Sequence, residues 1–568
     1  MRTAFEKVQT LYLLLCIAFG GLFLYLATVC YFSDSEIWLL AMSKKAFSAG
    51  SLQAVYYKWP LHALVFVTSF WSKNNLLIYE ISRIFFALLA LTSLGLIAAC
   101  FSKIYQKKQL FLPIFLICLT SSVFFNQGFR IRADILALFF HACFLLAVFS
   151  NLKSFRKLTL LLTALNAVLL LTTPKSLIFI ALHVIVGLYF FSQESKDHKL
   201  LGKRILVSIL APLTVGLFAL SCLAFLYPDH SILFAIQSAG DFYMKSFDPT
   251  LGGAVFFTSM DFMYVIRFLQ LSVVHTFIFL GWLILFLKHV FSKNRNSLHS
   301  FFNIYCACLL SLILLYNQKL PFFLGPFLTP VIAIQFCSLD RILSSRRRFK
   351  WLPPLLLSVA CWLCWKQFMV NLQFNNNTLQ KEFISQLQTY KKKNPAVSIY
   401  DIVGLLPQDN TYYLFIGPGE VSRSRDILSR VQENPPDIYL YTYKNIFFTE
   451  DLQSFLQNNY LQYSPGVWLK AQHLRTDPKK SPHTKIIQMN NKSYWLFPFN
   501  KPHLIYSHHT KKDILSECLF LDSNLQLTQI ATQWVAVPLG HINFSMVMFP
   551  APKFYQNPFQ VFRFDTAF

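Results

Sequence analysis

Apolar runs of roughly 18 to 25 residues recur between positions 11 and 370, each long enough to cross a hydrocarbon core of about 30 Å as a helix. A bilayer interior supplies no water to the backbone, so a spanning segment must satisfy its own peptide groups. They stop after residue 371. The expected architecture is a polytopic α-helical membrane domain over 1–371, followed by a soluble tail. A content of 55% hydrophobic and 14% charged residues excludes an ordinary globular protein.

Candidate spans fall at 9–32, 76–101, 110–127, 133–151, 158–173, 177–193, 205–227, 266–288, 300–317, 321–340 and 351–370, about eleven in all. The close pairs around 126–132 and 172–175 are also compatible with re-entrant helices, which leaves the orientation unchanged. The first run, 8–32, exceeds a signal-peptide core and is expected to be a retained helix. The formal charge of +25 sits mostly in short clusters between runs, a topology signal and not a nucleic-acid footprint. Lys103, Lys107 and Lys108 follow the second span, and Lys153, Arg156 and Lys157 the fourth. Lys196, Lys199, Lys203 and Arg204 follow the sixth, Lys288, Lys293 and Arg295 the eighth, and Arg341, Arg346, Arg347, Arg348 and Lys350 the tenth. Every second connection is basic, which assigns it and the N-terminus to the cytoplasm. An odd number of spans then leaves the tail outside, periplasmic in a bacterial inner membrane. Contact with anionic membrane lipids is a secondary use of the same clusters.

The tail divides into a mixed α/β part, 372–480, and a β-rich extension, 481–568. Helical patterns at 379–392 and 451–459 alternate with strand-like 397–403, 412–416 and 438–443. Strand patterns at 493–497, 503–506, 533–537 and 544–549 follow. Cysteines lie mainly in the apolar runs and the tail holds only Cys518, so no disulfide framework is expected. Cys361 and Cys364 form a CxxC with no second ligand pair, and no metal or cofactor is expected.

The outer connections carry the polar residues that topology does not explain. Asp34 and Glu36 sit just beyond the first span, in Ser33-Asp34-Ser35-Glu36. A transferase using a membrane-bound sugar phosphate needs a carboxylate at this level to take the acceptor proton. It also needs cations to offset charge on the departing phosphate. Lys58, Arg130, Arg132, Lys175 and Lys319 lie on that same face. Arg130 and Asp134, four apart, are also spaced to pair at a helix start, and Lys58 and Lys319 to snorkel toward the interface. His62, His183 and His275 in or near apolar runs are read as packing residues. No HExxH, P-loop, GxSxG or dinucleotide fingerprint occurs in a supporting context.

These residues resemble the GT-C glycosyltransferases, especially bacterial relatives of dolichyl-phosphate-mannose protein mannosyltransferases and of the lipid A aminoarabinose transferase. The resemblance rests on Ser33-Asp34-Ser35-Glu36, on Lys58-Trp59-Pro60-Leu61 before the second span, and on Arg132-Ala133-Asp134 opening the fourth. Leu320-Pro321-Phe322-Phe323-Leu324 with Pro326 and Pro330 is similar to a late proline-containing helix of the family, and the start of the tail is similar to its soluble domain. The resemblance implies a GT-C-like fold and inverting, metal-independent transfer of a sugar. The donor would be polyprenyl-phosphate-linked, and the acceptor a lipid, glycan or protein at the outer face. It implies Asp34 as base or acceptor-positioning group with Glu36 second, and donor-phosphate contacts drawn from Lys58, Arg130, Arg132, Lys175 and Lys319. Two other classes remain open at this level. A transporter or flippase of lipid-linked sugars would place ionisable groups at the bilayer midplane in two related halves. A noncatalytic scaffold would work through its tail alone.

Overall fold

The computed structural model describes residues 2–32, 36–37, 63–64, 67, 75–149, 155–173, 176–226, 272–290, 298–315, 321–345, 349, 351–374, 377–401, 428–429, 431–440, 450–464, 466–474, 485–498, 503–507, 512–513, 517–527, 534–538 and 546–550. The chain divides into two compact units, with the boundary between Thr378 and Leu379.

The first unit is helical. Its elements are α1 (Arg2–Val29), α2 (Asn75–Ile104), α3 (Phe111–Leu119), α4 (Ser122–Gln127), α5 (Ala133–Phe149), α6 (Phe155–Thr172) and α7 (Leu177–Ser192). They continue with α8 (Lys196–Leu226), α9 (Val273–Val290), α10 (Leu298–Leu315), α11 (Pro321–Ser345) and α12 (Leu352–Phe374). Three stretches, Glu6–Val29, Leu76–Ile104 and Leu352–Gln373, are long and apolar enough to cross a membrane by length and composition. Such helices make the chain an integral membrane protein. Among the described residues, shorter apolar helices fall at Lys108–Leu119, Ala133–Phe149, Lys157–Thr172, Leu177–Ser192, Val273–Leu287 and Phe301–Ile313, while the longer α8 and α11 lie over the expected 205–227 and 321–340.

One expected span differs. The run 110–127 is two helices, α3 and α4, because Ser121 adopts an extended backbone (φ −64°, ψ 130°) and accepts the Phe124 N–H at 3.4 Å. Thr120 Oγ1 donates back to the Leu116 carbonyl at 2.8 Å. Hydroxyl side chains that bond the local backbone in this way compete with the helical ladder, and the break follows. The expected outer loop 227–266 lies outside the described residues, as does most of 33–75.

Two features set the helix packing. Gly187 on α7 and Gly202 on α8 allow a close approach, since a Cβ on Gly202 would collide with the backbone of Phe191 and Gly187. A buried polar chain also links five helices. Asn166 Nδ2 on α6 donates to Ser208 Oγ on α8 at 3.1 Å, so its Oδ1 accepts from His183 Nδ1 on α7 at 2.7 Å. His183 Nε2 must then accept from His141 Nδ1 on α5 at 2.9 Å, and His141 Nε2 from the Tyr305 hydroxyl on α10 at 2.8 Å. Phe144 and Phe179 stack on the two imidazoles and close the chain from water. His183 is thus a packing residue with a defined tautomer, and His275 bonds the Ile117 carbonyl at 2.9 Å. His62 lies outside the described residues.

The second unit opens with α13 (Thr378–Lys393), which buries Phe383, Ile384 and Leu387 on one face. Strands β1 (Ile399–Asp401), β2 (Ile438–Leu440), β3 (Tyr460–Ser464) and β4 (Val467–Lys470) form a sheet ordered β1-β2-β4-β3, parallel only at β1 and β2. Helix α14 (Glu450–Asn459) leads into β3. The later strands are β5 (Gln472–Leu474), β6 (Lys485–Met489), β7 (Lys492–Pro498), β8 (His503–Ser507), β9 (Lys512–Asp513), β10 (Leu519–Leu521), β11 (Trp534–Pro538) and β12 (Met546–Pro550). They form two antiparallel sheets, β10-β11-β7-β6 and β5-β12-β8-β9. The β6–β7 hairpin turns on Asn490 and Asn491, both at positive φ, as a two-residue turn of matching twist requires. β5 precedes the expected division at 480 yet pairs with β12 beyond it. The candidate strand 412–416 lies outside the described residues.

Candidate functional site

Where α1 ends, its last carbonyls lose their intrahelical donors. Asn377 meets part of that need, its backbone N–H donating to the Val29 carbonyl at 2.8 Å and its Nδ2 to Thr28 at 3.0 Å. Arg83, about two turns into α2, bonds the carbonyls of the two residues that follow. Its Nη1 donates to the Cys30 carbonyl at 2.6 Å and its Nη2 to the Tyr31 carbonyl at 2.6 Å. A cation at a helix C-terminus is also favoured by the helix dipole.

The same guanidinium grips Glu36. Arg83 Nε donates to Oε1 at 2.8 Å and Nη2 to Oε2 at 2.5 Å, a bidentate pair in which both side chains are 0% exposed. The Ile131 N–H donates to Glu36 Oε1 at 3.0 Å, and Arg130 Nη1 lies 3.7 Å from Oε2. Aromatic faces seal the cluster. The Arg83 guanidinium lies 4.4 Å from the Phe32 ring centroid, and that of Arg130 lies 5.1 Å from that of Tyr31. Burial alone would raise the Glu36 pKa. The charge and hydrogen bonds of Arg83, the charge of Arg130 and the Ile131 N–H outweigh burial and hold it at about 2, below the ordinary 4.5.

Two guanidinium groups and one carboxylate leave this trio with a net positive charge in a place from which water is excluded. Arg132 stands at the start of α5, and Asp134 is buried in its first turn, where a carboxylate meets the positive end of the helix dipole. Asn371 on α12 donates to Asn126 Oδ1 at 2.7 Å, which ties the end of α4 to the neighbouring helix.

Of the residues singled out from sequence, Glu36 and Arg130 are brought together, and Arg132 lies two residues beyond Arg130 in the same turn. Asp34, Lys58, Lys175 and Lys319 lie outside the described residues. Arg83 escaped the sequence reading. Its signal was present, because a lone arginine inside an apolar span is costly unless it has partners. An open apolar groove of about 570 Å³, lined by Ala181, Ile185, Phe286, Ala307 and Ser311, has no charged side chain in its lining and shares no residue with this cluster.

One structural likeness accompanies this geometry. The fold is similar to the crystal structure of ArnT from Cupriavidus metallidurans bound to undecaprenyl phosphate, at 12% identity and a TM-score of 0.40, covering 85% of this chain and 96% of that one. At those values the likeness carries no functional argument. No family model and no curated protein matches the chain.

Proposed function

We propose that the protein is a membrane glycosyltransferase. It moves a sugar from a polyprenyl-phosphate carrier to a lipid, glycan or protein acceptor at the outer face, with inversion and without a metal. The observation that supports this reading is the buried Glu36–Arg83–Arg130 cluster just beyond α1, two guanidinium groups around one carboxylate. A phosphate on a membrane carrier stays at headgroup level, where this cluster lies if α1 crosses the bilayer. Arg130 and Arg132 take the donor phosphate, with Lys58, Lys175 and Lys319 as further contacts, and so offset the charge that develops as the sugar leaves. Asp34 is the base or acceptor-positioning group. Glu36, whose oxygens are engaged by Arg83, Ile131 and Arg130, orders the cations around it.

In this reading about eleven helices span a bacterial inner membrane, the N-terminus is cytoplasmic and the second unit is periplasmic. Residues 372–480 form an α/β domain and 481–568 a β-rich extension. Asp34→Asn, reconstituted in vesicles with a polyprenyl-phosphate sugar, is expected to abolish transfer while the protein stays folded. Full activity in that variant ends the proposal. Transfer is expected to continue in chelator, and strict loss there rules out the metal-free mechanism.

A further inference from the structure

We propose that the exposed face of α12 is a docking surface for a transmembrane helix of another protein, one that presents a carboxylate to Lys366.

The span Leu352–Gln373 contains a single charged residue, Lys366. Charged residues within a membrane helix are costly, and almost all of them turn toward the bundle interior, where they find partners. α12 does bury one face in its own bundle, through Leu357, Cys361, Cys364 and Phe368. Lys366 is not on it. It shares the opposite, exposed face with Leu355, Val359, Trp362 and Met369 at helical spacing. Among the described residues it pairs with no carboxylate.

The ammonium also points away from the nearer water. Lys366 lies about 10 Å from the Gln373 end of the span, at a rise of roughly 1.5 Å per residue. A lysine in such a place ordinarily extends toward the near interface. Here Nζ lies 4.0 Å from the ring centroid of Trp362, which stands midway between Leu352 and Gln373. The indole face attracts the cation but carries no net charge to neutralise it. In hydrocarbon the complement of this ammonium is a carboxylate at the same depth, since attraction between opposite charges grows as the dielectric falls. A helix lying along the row from Leu355 to Met369 supplies one at that depth while its apolar side chains cover the rest of the face.

Two other occupants fit this surface less well. A second copy meeting it about a twofold axis would bring two Lys366 side chains together, like charge against like. A lipid phosphate stays at headgroup level, outside the hydrocarbon core, whereas Nζ is turned toward the middle of the span.

The probe is a poly-leucine transmembrane peptide with one central glutamate, mixed with the full-length protein in phosphatidylcholine vesicles at pH 8. Energy transfer between labels on the two reads association. The glutamate peptide is expected to bind about tenfold or more tighter than the same peptide with a central glutamine. Lys366→Leu is expected to remove that difference, and Lys366→Glu to transfer the preference to a peptide with a central lysine. If Lys366→Glu does not fold, shown by loss of its melting transition, Lys366→Leu alone decides. Equal binding of the glutamate and glutamine peptides overturns the proposal, and so does a glutamate preference that survives Lys366→Leu. Self-association of the protein that Lys366→Leu abolishes would give the face to a second copy. Lys366-dependent binding of phosphatidylglycerol, without any peptide preference, would give it to lipid. Either result also overturns the proposal.

Discussion

Replacing His183 with Phe tests whether the buried chain through α5, α6, α7, α8 and α10 acts as a single directional unit. The change keeps a ring of similar size beside Phe144 but removes both imidazole bonds, the one from His141 at 2.9 Å and the one to Asn166 at 2.7 Å. Interhelical hydrogen bonds in membrane proteins contribute about 0.6 kcal/mol on average and up to about 1.7. Two of them give a cost of roughly 1–3 kcal/mol for His183→Phe. His141→Phe also breaks two bonds, to His183 and to Tyr305. The double variant breaks three, because the His141–His183 bond is shared. Its cost should fall short of the sum of the singles by one bond, about 0.6 kcal/mol or more. Tyr305→Phe, which removes only the terminal donor, should cost less than either single variant. The assay is reversible unfolding of the purified protein in mixed micelles, with all four variants measured under one condition. Additive singles, or a Tyr305→Phe cost equal to that of His183→Phe, would refute the directional chain.

Gly202→Val should separate α7 from α8, because the added carbons meet the backbone of Phe191 and Gly187 and neither can yield. Loss of a monodisperse peak in size-exclusion chromatography is the expected result, and a normal peak with an unchanged melting point would contradict it. The depressed Glu36 pKa sets an acid limit on stability. A carboxylate lowered from 4.5 to about 2 contributes its full stabilisation above pH 4.5 and loses it as pH falls through 2, about 3 kcal/mol in all. Glu36→Gln should flatten the stability profile between pH 4.5 and 2, and an acid limb of unchanged slope would assign that loss to other groups.

The long apolar runs were readable as helices because a bilayer leaves a continuous apolar segment no other way to satisfy its backbone. The break at Thr120 and Ser121 was less so, since hydroxyl residues also occur inside intact helices and only their bonds to Leu116 and Phe124 show a ladder interrupted. In the candidate site, residue types and approximate level were legible from Glu36 and Arg130. The role of Glu36 was not. A carboxylate beside an outer loop reads as available chemistry until Arg83, 47 positions away, is seen to occupy it.

The sequence by itself determined that this chain enters a membrane, where its apolar helices fall, and that acidic and basic residues lie beside the end of the first of them. Those are local properties, set by hydrophobicity and length over a few turns. Tertiary structure decided which charges meet. Arg83 was brought onto Cys30, Tyr31 and Glu36, Arg130 was left at 3.7 Å, and His141 and His183 were joined through neighbouring helices. Each of these contacts joins residues distant in sequence, so no local pattern of hydrophobicity or charge could specify it, and inside a low-dielectric bundle each carries more weight than it would in water.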